Sequence, residues 1–477
     1  MQSEHPEQSA EQQRMTRREA IAWTVAAAGV AGVAMPAFAQ PRRGRGQDPQ
    51  PAPGSSPPGS TQPGGPAGPA TPGQPAQGAD PLVLGANPSP FVSRTRERQN
   101  TLVTDLTVRS FQEVSARPTA TPAIDRWRFQ TLSVVLPIVG AANADVRELG
   151  DGSPRAEGLL RVDGIDLTRE FRVLDGFQGG TRLASFDASA DRHQVIAGGA
   201  RQLDAELRVD MVCHRLEFDE AGAARVEWPK GPWPAEARST LQLMTFVDLD
   251  PRTGQAYDPA PVRQLLDRWT EGRDPRSIRP VQLAKWLAGN VSEHVQHSGR
   301  GLIGRSGAFE GFELIGGPAT LSEGRGSEFD VPLALAAIYR LAGLPARITI
   351  AFDQGAARGR RDPLDRSRGV SALSAWTEFA LYDENTDSMA WIPVDIVGIR
   401  KAASRLPRNW MDRPLRGFGD MPAGDGILPI AHHFHPPTNA RAYAHPAMWG
   451  WTATPSTPNE AFQTIRHRGE TTPTRGR

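Results

Sequence analysis

The sequence predicts an α+β protein in which a β-sandwich-like domain precedes a domain where helices lead into strands. Three observations carry this. Residues 83–236 hold short runs such as Trp127-Arg128-Phe129, Leu132-Ser133-Val134-Val135-Leu136 and Leu207-Arg208-Val209-Asp210-Met211, set between Gly, Asp and Pro punctuation. After Pro232-Trp233-Pro234 the apolar spacing becomes helical. Further on, an alanine-rich apolar stretch ends at Gly343 and Pro345, and Ile348-Thr349-Ile350-Ala351-Phe352 then reads as a buried strand.

Taken in order, the chain opens with a signal for export. Thr16-Arg17-Arg18-Glu19 precedes an apolar run from Ala20 to Met35, and Ala37-Phe38-Ala39 supplies the small residues of a cleavage site. The run is about 16 residues, short of the ~20 that span a bilayer. Residues 1–39 are therefore expected to be a twin-arginine signal peptide, cleaved after Ala39, with the protein periplasmic or secreted and touching a membrane only before cleavage. Residues 40–82 are dominated by Pro, Gly, Gln, Ala and Ser, as in Pro63-Gly64-Gly65-Pro66. With little apolar surface to offset ordering entropy, they predict a disordered linker.

In the β-rich region 83–236 the period of two puts Leu207, Val209, Met211 and Cys213 on one face, so the thiol is expected in the core. His214 points the other way and cannot partner it. Cys213 is the single cysteine, which excludes an intramolecular disulfide. The balance of 54 basic against 53 acidic residues, net +1, gives no electrostatic footprint for nucleic acid. The next region, 237–455, begins with two amphipathic helices, one around Val262, Leu265, Leu266 and Trp269 and one around Leu283, Trp286, Leu287, Val291 and Val295. Residues 456–477 read as a polar tail.

The most informative stretch runs from Gly326-Ser327-Glu328-Phe329-Asp330 to Ala342-Gly343-Leu344-Pro345-Ala346-Arg347. It resembles the catalytic helix of the transglutaminase-like superfamily, which shares the papain-like cysteine-protease fold. Ser374-Ala375-Trp376 resembles the family's His-Ala-Trp strand, and Trp391-Ile392-Pro393-Val394-Asp395 its Trp-x-x-x-Asp strand. The resemblance implies a cysteine nucleophile at the helix start, a histidine base and an orienting aspartate. Counting back from Arg347 puts Glu328 at the cysteine position; Ser374 stands at the histidine position and Asp395 remains. A carboxylate and a hydroxyl do not replace a thiolate and an imidazole, and losing such a unit costs on the order of a millionfold in rate. The expectation is a pseudoenzyme with no catalytic residue and no cofactor, in a binding or scaffolding role toward a peptide, peptidoglycan or glycan. Trp376 and Ser327 are candidate ligand contacts, while Asp330 and the Glu328 charge suit the helix N-terminus.

Two other readings stay open. A hydrolase could use Glu328 and Asp395 as paired carboxylates. Alternatively, His433 and His435 share a strand face and could bind zinc with His445 or Asp425. His432 would point away, and His294 with His297 is a weaker pair. The run Arg358-Gly359-Arg360-Arg361 through Arg366-Ser367-Arg368 reads as a solvated loop.

Overall fold

A computed structural model describes residues 89–110, 130–139, 144–146, 155–174, 181–305, 308–357, 372–402, 405–421, 424–435, 445–454 and 461–471. The expected signal peptide, the linker and the arginine-rich run 358–368 lie outside these residues.

The first half of the chain supplies long strands: β1 (Val92–Ser110), β2 (Thr131–Val139), β3 (Ala156–Val162), β4 (Phe171–Leu174), β5 (Thr181–Ser189) and β6 (Gln202–Phe218). From Leu203 to Cys213 the alternation in β6 is strict. Leu203, Ala205, Leu207, Val209, Met211 and Cys213 are buried, while Asp204, Glu206, Arg208 and Asp210 fall on the other face. Cys213 is thus a core residue.

Helices follow as α1 (Ala260–Trp269), α2 (Pro280–His294) and α3 (Gly317–Glu323), with strand β7 (Ala308–Phe312) between α2 and α3. Next come α4 (Asp330–Leu341), β8 (Ala346–Asp353), β9 (Leu373–Asp383), β10 (Ser388–Val394), α5 (Ile396–Ala402) and β11 (Ile427–Ala431). The chain then contributes β12 (Gly450–Thr454) and β13 (Ala461–Thr471).

Three large antiparallel sheets result, beside two two-stranded ones. One has the order β13-β1-β6-β3, with the two-residue strand Ile165–Asp166 at the far edge, and a second has the order β12-β2-β5-β4. These two are the sandwich. The third, β10-β9-β8-β11, belongs to the helical half.

Within the polar tail expected over residues 456–477, residues 461–471 form a strand instead. β13 lies along β1 from Asn100 opposite Thr471 to Ser110 opposite Ala461. The inward positions of this strand include Gln463 and His467, both buried, beside Ile465. Two polar residues on the core face mask a β pattern from a hydropathy reading. The sandwich draws strands from both ends of the chain, and one hydrophobic core runs through sandwich and helical half alike.

Helix α4 lies at the centre. Eleven of its twelve residues, Asp330 to Arg340, are buried, as expected of a helix that is apolar all round. Its C-terminus closes in a Schellman motif: Gly343, at φ 88°, donates its N–H to Arg340 O at 3.0 Å, and Leu344 N–H reaches Tyr339 O at 2.9 Å. The chain then enters β8. Helix α2 is held to α4 by Tyr339 Oη, which donates to Ala284 O at 2.7 Å.

Candidate functional site

The N-terminus of α4 is built on a capping box. Ser327 O accepts from Val331 N at 3.1 Å, which makes Ser327 the residue that caps the helix and Glu328 the first residue of its opening turn. Ser327 Oγ accepts from Asp330 N at 3.2 Å, while Asp330 Oδ2 accepts from Ser327 N at 3.1 Å and from Ser327 Oγ at 2.7 Å. The other carboxylate oxygen, Oδ1, accepts from Ile315 N and Gly316 N at 2.9 and 3.0 Å. Asp330 thereby ties the segment before α3 to the start of α4. Burial pushes its carboxyl above the usual range, against the pull of these four hydrogen bonds. Ser327, a candidate ligand contact by sequence, is a buried capping residue.

Glu328 is 14% exposed, and its Oε2 lies 4.0 Å from Nζ of Lys401, itself 58% exposed near the end of α5. Asp395 begins α5: its Oδ1 accepts from Gly398 N at 2.8 Å. Burial raises the Asp395 carboxyl, while that hydrogen bond and the Lys401 charge lower it. The fold thus brings Glu328 and Asp395 under the influence of one ammonium group. Lys401 was not legible as a site residue, because nothing in the sequence sets a lysine six positions past Asp395 beside a helix that starts near residue 328.

Ser374 lies elsewhere. Thr377 Oγ1 donates to Pro332 O at 2.8 Å and Phe379 packs on Tyr339, so the odd-numbered side chains of β9 face α4. Ser374, opposite Ala351 in the ladder, alternates onto the other face with Trp376 and Glu378. Trp376 is 2% exposed and packs with Leu216, Ala351 and Met421. Its indole N–H donates to Glu378 Oε1 at 3.0 Å, and Glu378 Oε2 accepts from Arg347 Nε at 2.8 Å. The Arg347 guanidinium stacks over Trp391 at 4.1 Å. Trp376, expected as a ligand contact, is therefore a wall of the interior that orients a buried ion pair.

The histidines divide in the same way. His433 and His435 do meet, with Nε2 atoms 3.2 Å apart, and His433 Nδ1 is 2.9 Å from Thr181 Oγ1. His432 points away, toward Thr349 Oγ1 at 3.1 Å. His445 is half-buried beside Gly311 of β7, and Asp425 pairs with Arg98 at 2.9 Å. Burial, with the neighbouring histidines, holds the His433 imidazole well below its ordinary range, and burial lowers His435 to about 4. Both rings are neutral near pH 7, so a single N–H bridges the two Nε2 atoms. Among the described residues no group of three or more His, Cys, Asp or Glu side chains is arranged to hold a metal ion.

Comparison with known proteins places this architecture. Residues 263–396 match the sequence model of the transglutaminase-like superfamily. The chain carries a transglutaminase-like domain in its C-terminal half, preceded by a β-rich region. Among solved structures, a provisionally assigned cysteine protease from Cytophaga hutchinsonii is similar at 10% identity and a TM-score of 0.43, covering 81% of this chain and 95% of that one. The periplasmic domain of TgpA from Pseudomonas aeruginosa is similar at 13% identity and a TM-score of 0.24, covering 56% and 98%. No curated protein matches the chain significantly.

Proposed function

We propose that this protein is an exported, non-catalytic transglutaminase-like protein that binds a peptide, peptidoglycan or glycan in the periplasm. The reading rests on the start of α4, where Glu328, which stands at the cysteine position of the resemblance when counted back from Arg347, lies beside Lys401. The chain's single thiol, Cys213, is buried in β6. A carboxylate neighboured by an ammonium group is a poor acyl acceptor, and no imidazole occupies the position of the base.

Two measurements test this. The mature chain, incubated with peptide amides, peptidoglycan muropeptides and an amine donor, is expected to release or transfer nothing above the uncatalysed background, while sedimenting with isolated peptidoglycan sacculi. Turnover lost in the Glu328→Gln variant would instead establish a carboxylate hydrolase, and turnover lost on chelation a metal enzyme. Export is read separately: replacing Arg17 and Arg18 by lysine should hold the protein in the cytoplasm, and unchanged periplasmic recovery would remove the twin-arginine route.

A further inference from the structure

The last strand of the sandwich contains a histidine whose surroundings suit only its neutral form. His467 of β13 is buried and faces Thr104 of β1 directly across the ladder, with Nδ1 3.0 Å from Thr104 Oγ1. Its other nitrogen, Nε2, is buried and has no hydrogen-bond partner among the described residues. From the helical half, Phe352 of β8 turns its ring toward the imidazole at 6.4 Å. The flanking residues Arg466 and Arg468 point to the opposite, solvent face, where Arg468 is paired with Asp105. On β7, Glu310 meets β13 at Gln463, four positions away, and does so through its backbone carbonyl. Burial lowers the ring, to about 4.

Position turns this into a device. Among the described residues β13 is an edge strand that pairs only with β1, so its departure leaves every other strand pairing of the sheets in place. We propose that β13 is an acid-releasable latch, kept docked by a neutral His467 and freed when that imidazole takes up a proton. The charged ring would need a second acceptor, which the packed state lacks; in the released strand water supplies it. Release uncovers the backbone edge of β1 and the face of β8 that Phe352 occupies, so acidification would expose a strand edge open to pairing.

Amide hydrogen exchange followed by mass spectrometry on the mature chain tests the latch. After correction for intrinsic rates, protection of the β13 amides is expected to fall about tenfold per pH unit below 6.5, hence about a hundredfold at pH 4.5, while peptides from β8 and β9 stay protected. In His467→Gln, which cannot charge, β13 protection should be independent of pH. A variant that loses protection in parallel with the wild type would overturn the proposal, as would simultaneous loss across all sheets. Should His467→Gln not fold, the wild type alone decides, through carbon-13 labelling of its histidine rings. The latch requires the His467 ring to titrate together with β13 opening, and titration near pH 6.5 with the strand still protected would refute it.

Discussion

Asp330 shows how much of this site is carried by one side chain. Its carboxylate accepts four hydrogen bonds, three of them from backbone N–H groups of Ile315, Gly316 and Ser327. Asp330→Ala leaves those donors buried and unsatisfied, at roughly 1 to 3 kcal/mol each. It is expected to lower unfolding free energy by about 3 kcal/mol or more, whereas Ser327→Ala, which removes the cap and one of the four hydrogen bonds to the carboxylate but strands fewer backbone donors, should cost about 1 to 2 kcal/mol. Equal losses in urea unfolding would contradict the hub assigned to Asp330. Arg347 and Glu378, each 2% exposed, pose a sharper question. Either single truncation strands a buried charge at about 3 to 5 kcal/mol, while Arg347→Met with Glu378→Leu should cost much less than the sum. A double-mutant cycle showing additivity would mean that the two side chains do not act as a pair. Arg347 closes one phrase that carries the family resemblance, and Glu378 stands two residues past another, Ser374-Ala375-Trp376. Their partnership was nonetheless invisible in the sequence, because only the ladder register that sets Arg347 opposite Glu378 brings positions 31 apart together.

At the scale of elements, α4 was legible because its signals are local: the acidic Glu328 and Asp330 at one end, a glycine at the other and apolar residues between, although the capping role of Ser327 was not read. Gly343 adopts φ 88° and a Cβ there would meet nothing within 4 Å. Gly343→Ala should therefore cost the left-handed backbone penalty alone, about 1 to 2 kcal/mol, with no packing defect. A loss several times larger would show that something besides backbone conformation depends on this glycine. β13 was not legible, for the opposite reason: what holds it is non-local. Gln463 accepts from the indole N–H of Trp451 at 3.0 Å, and His467 faces Thr104, so polar core positions are satisfied by residues far away in sequence. The placement of Ser374 has a similar cause. The short motif around it located β9, but which face turns toward α4 is decided by Thr377 and Phe379.

For the whole molecule the sandwich and the helical half share one core, and several buried imidazoles lie where they meet. His432 N–H and His433 Nδ1 both contact Thr181 of the sandwich, at 3.1 and 2.9 Å. His435 and His467 are lowered to about 4 from an ordinary 6.5, and His433 lies well below that value. A histidine whose folded value is depressed binds a proton more readily in the unfolded chain. Its contribution to stability is therefore fully present above about pH 6.5 and is lost as pH falls toward the folded value, at up to about 1.4 kcal/mol per pH unit for each ring. Asp330 and Asp395, whose carboxyls are raised, act in the opposite sense and blunt the slope from below. His445 is lowered as well, and Asp105 and Asp248 are raised, so the rings set the slope where it begins, just below pH 6.5, and the carboxyls oppose it further toward their ordinary 3.8. Global stability should thus be flat between pH 8 and 7 and drop steeply from pH 6 to 4.5. Urea midpoints across this range give the test, with His435→Gln expected to remove part of the slope while leaving any opening confined to β13 intact. A midpoint that does not move between pH 7 and 5 would mean that these imidazoles are already protonated or solvated in the native state, and the buried arrangement of His433, His435 and His467 would then be wrong.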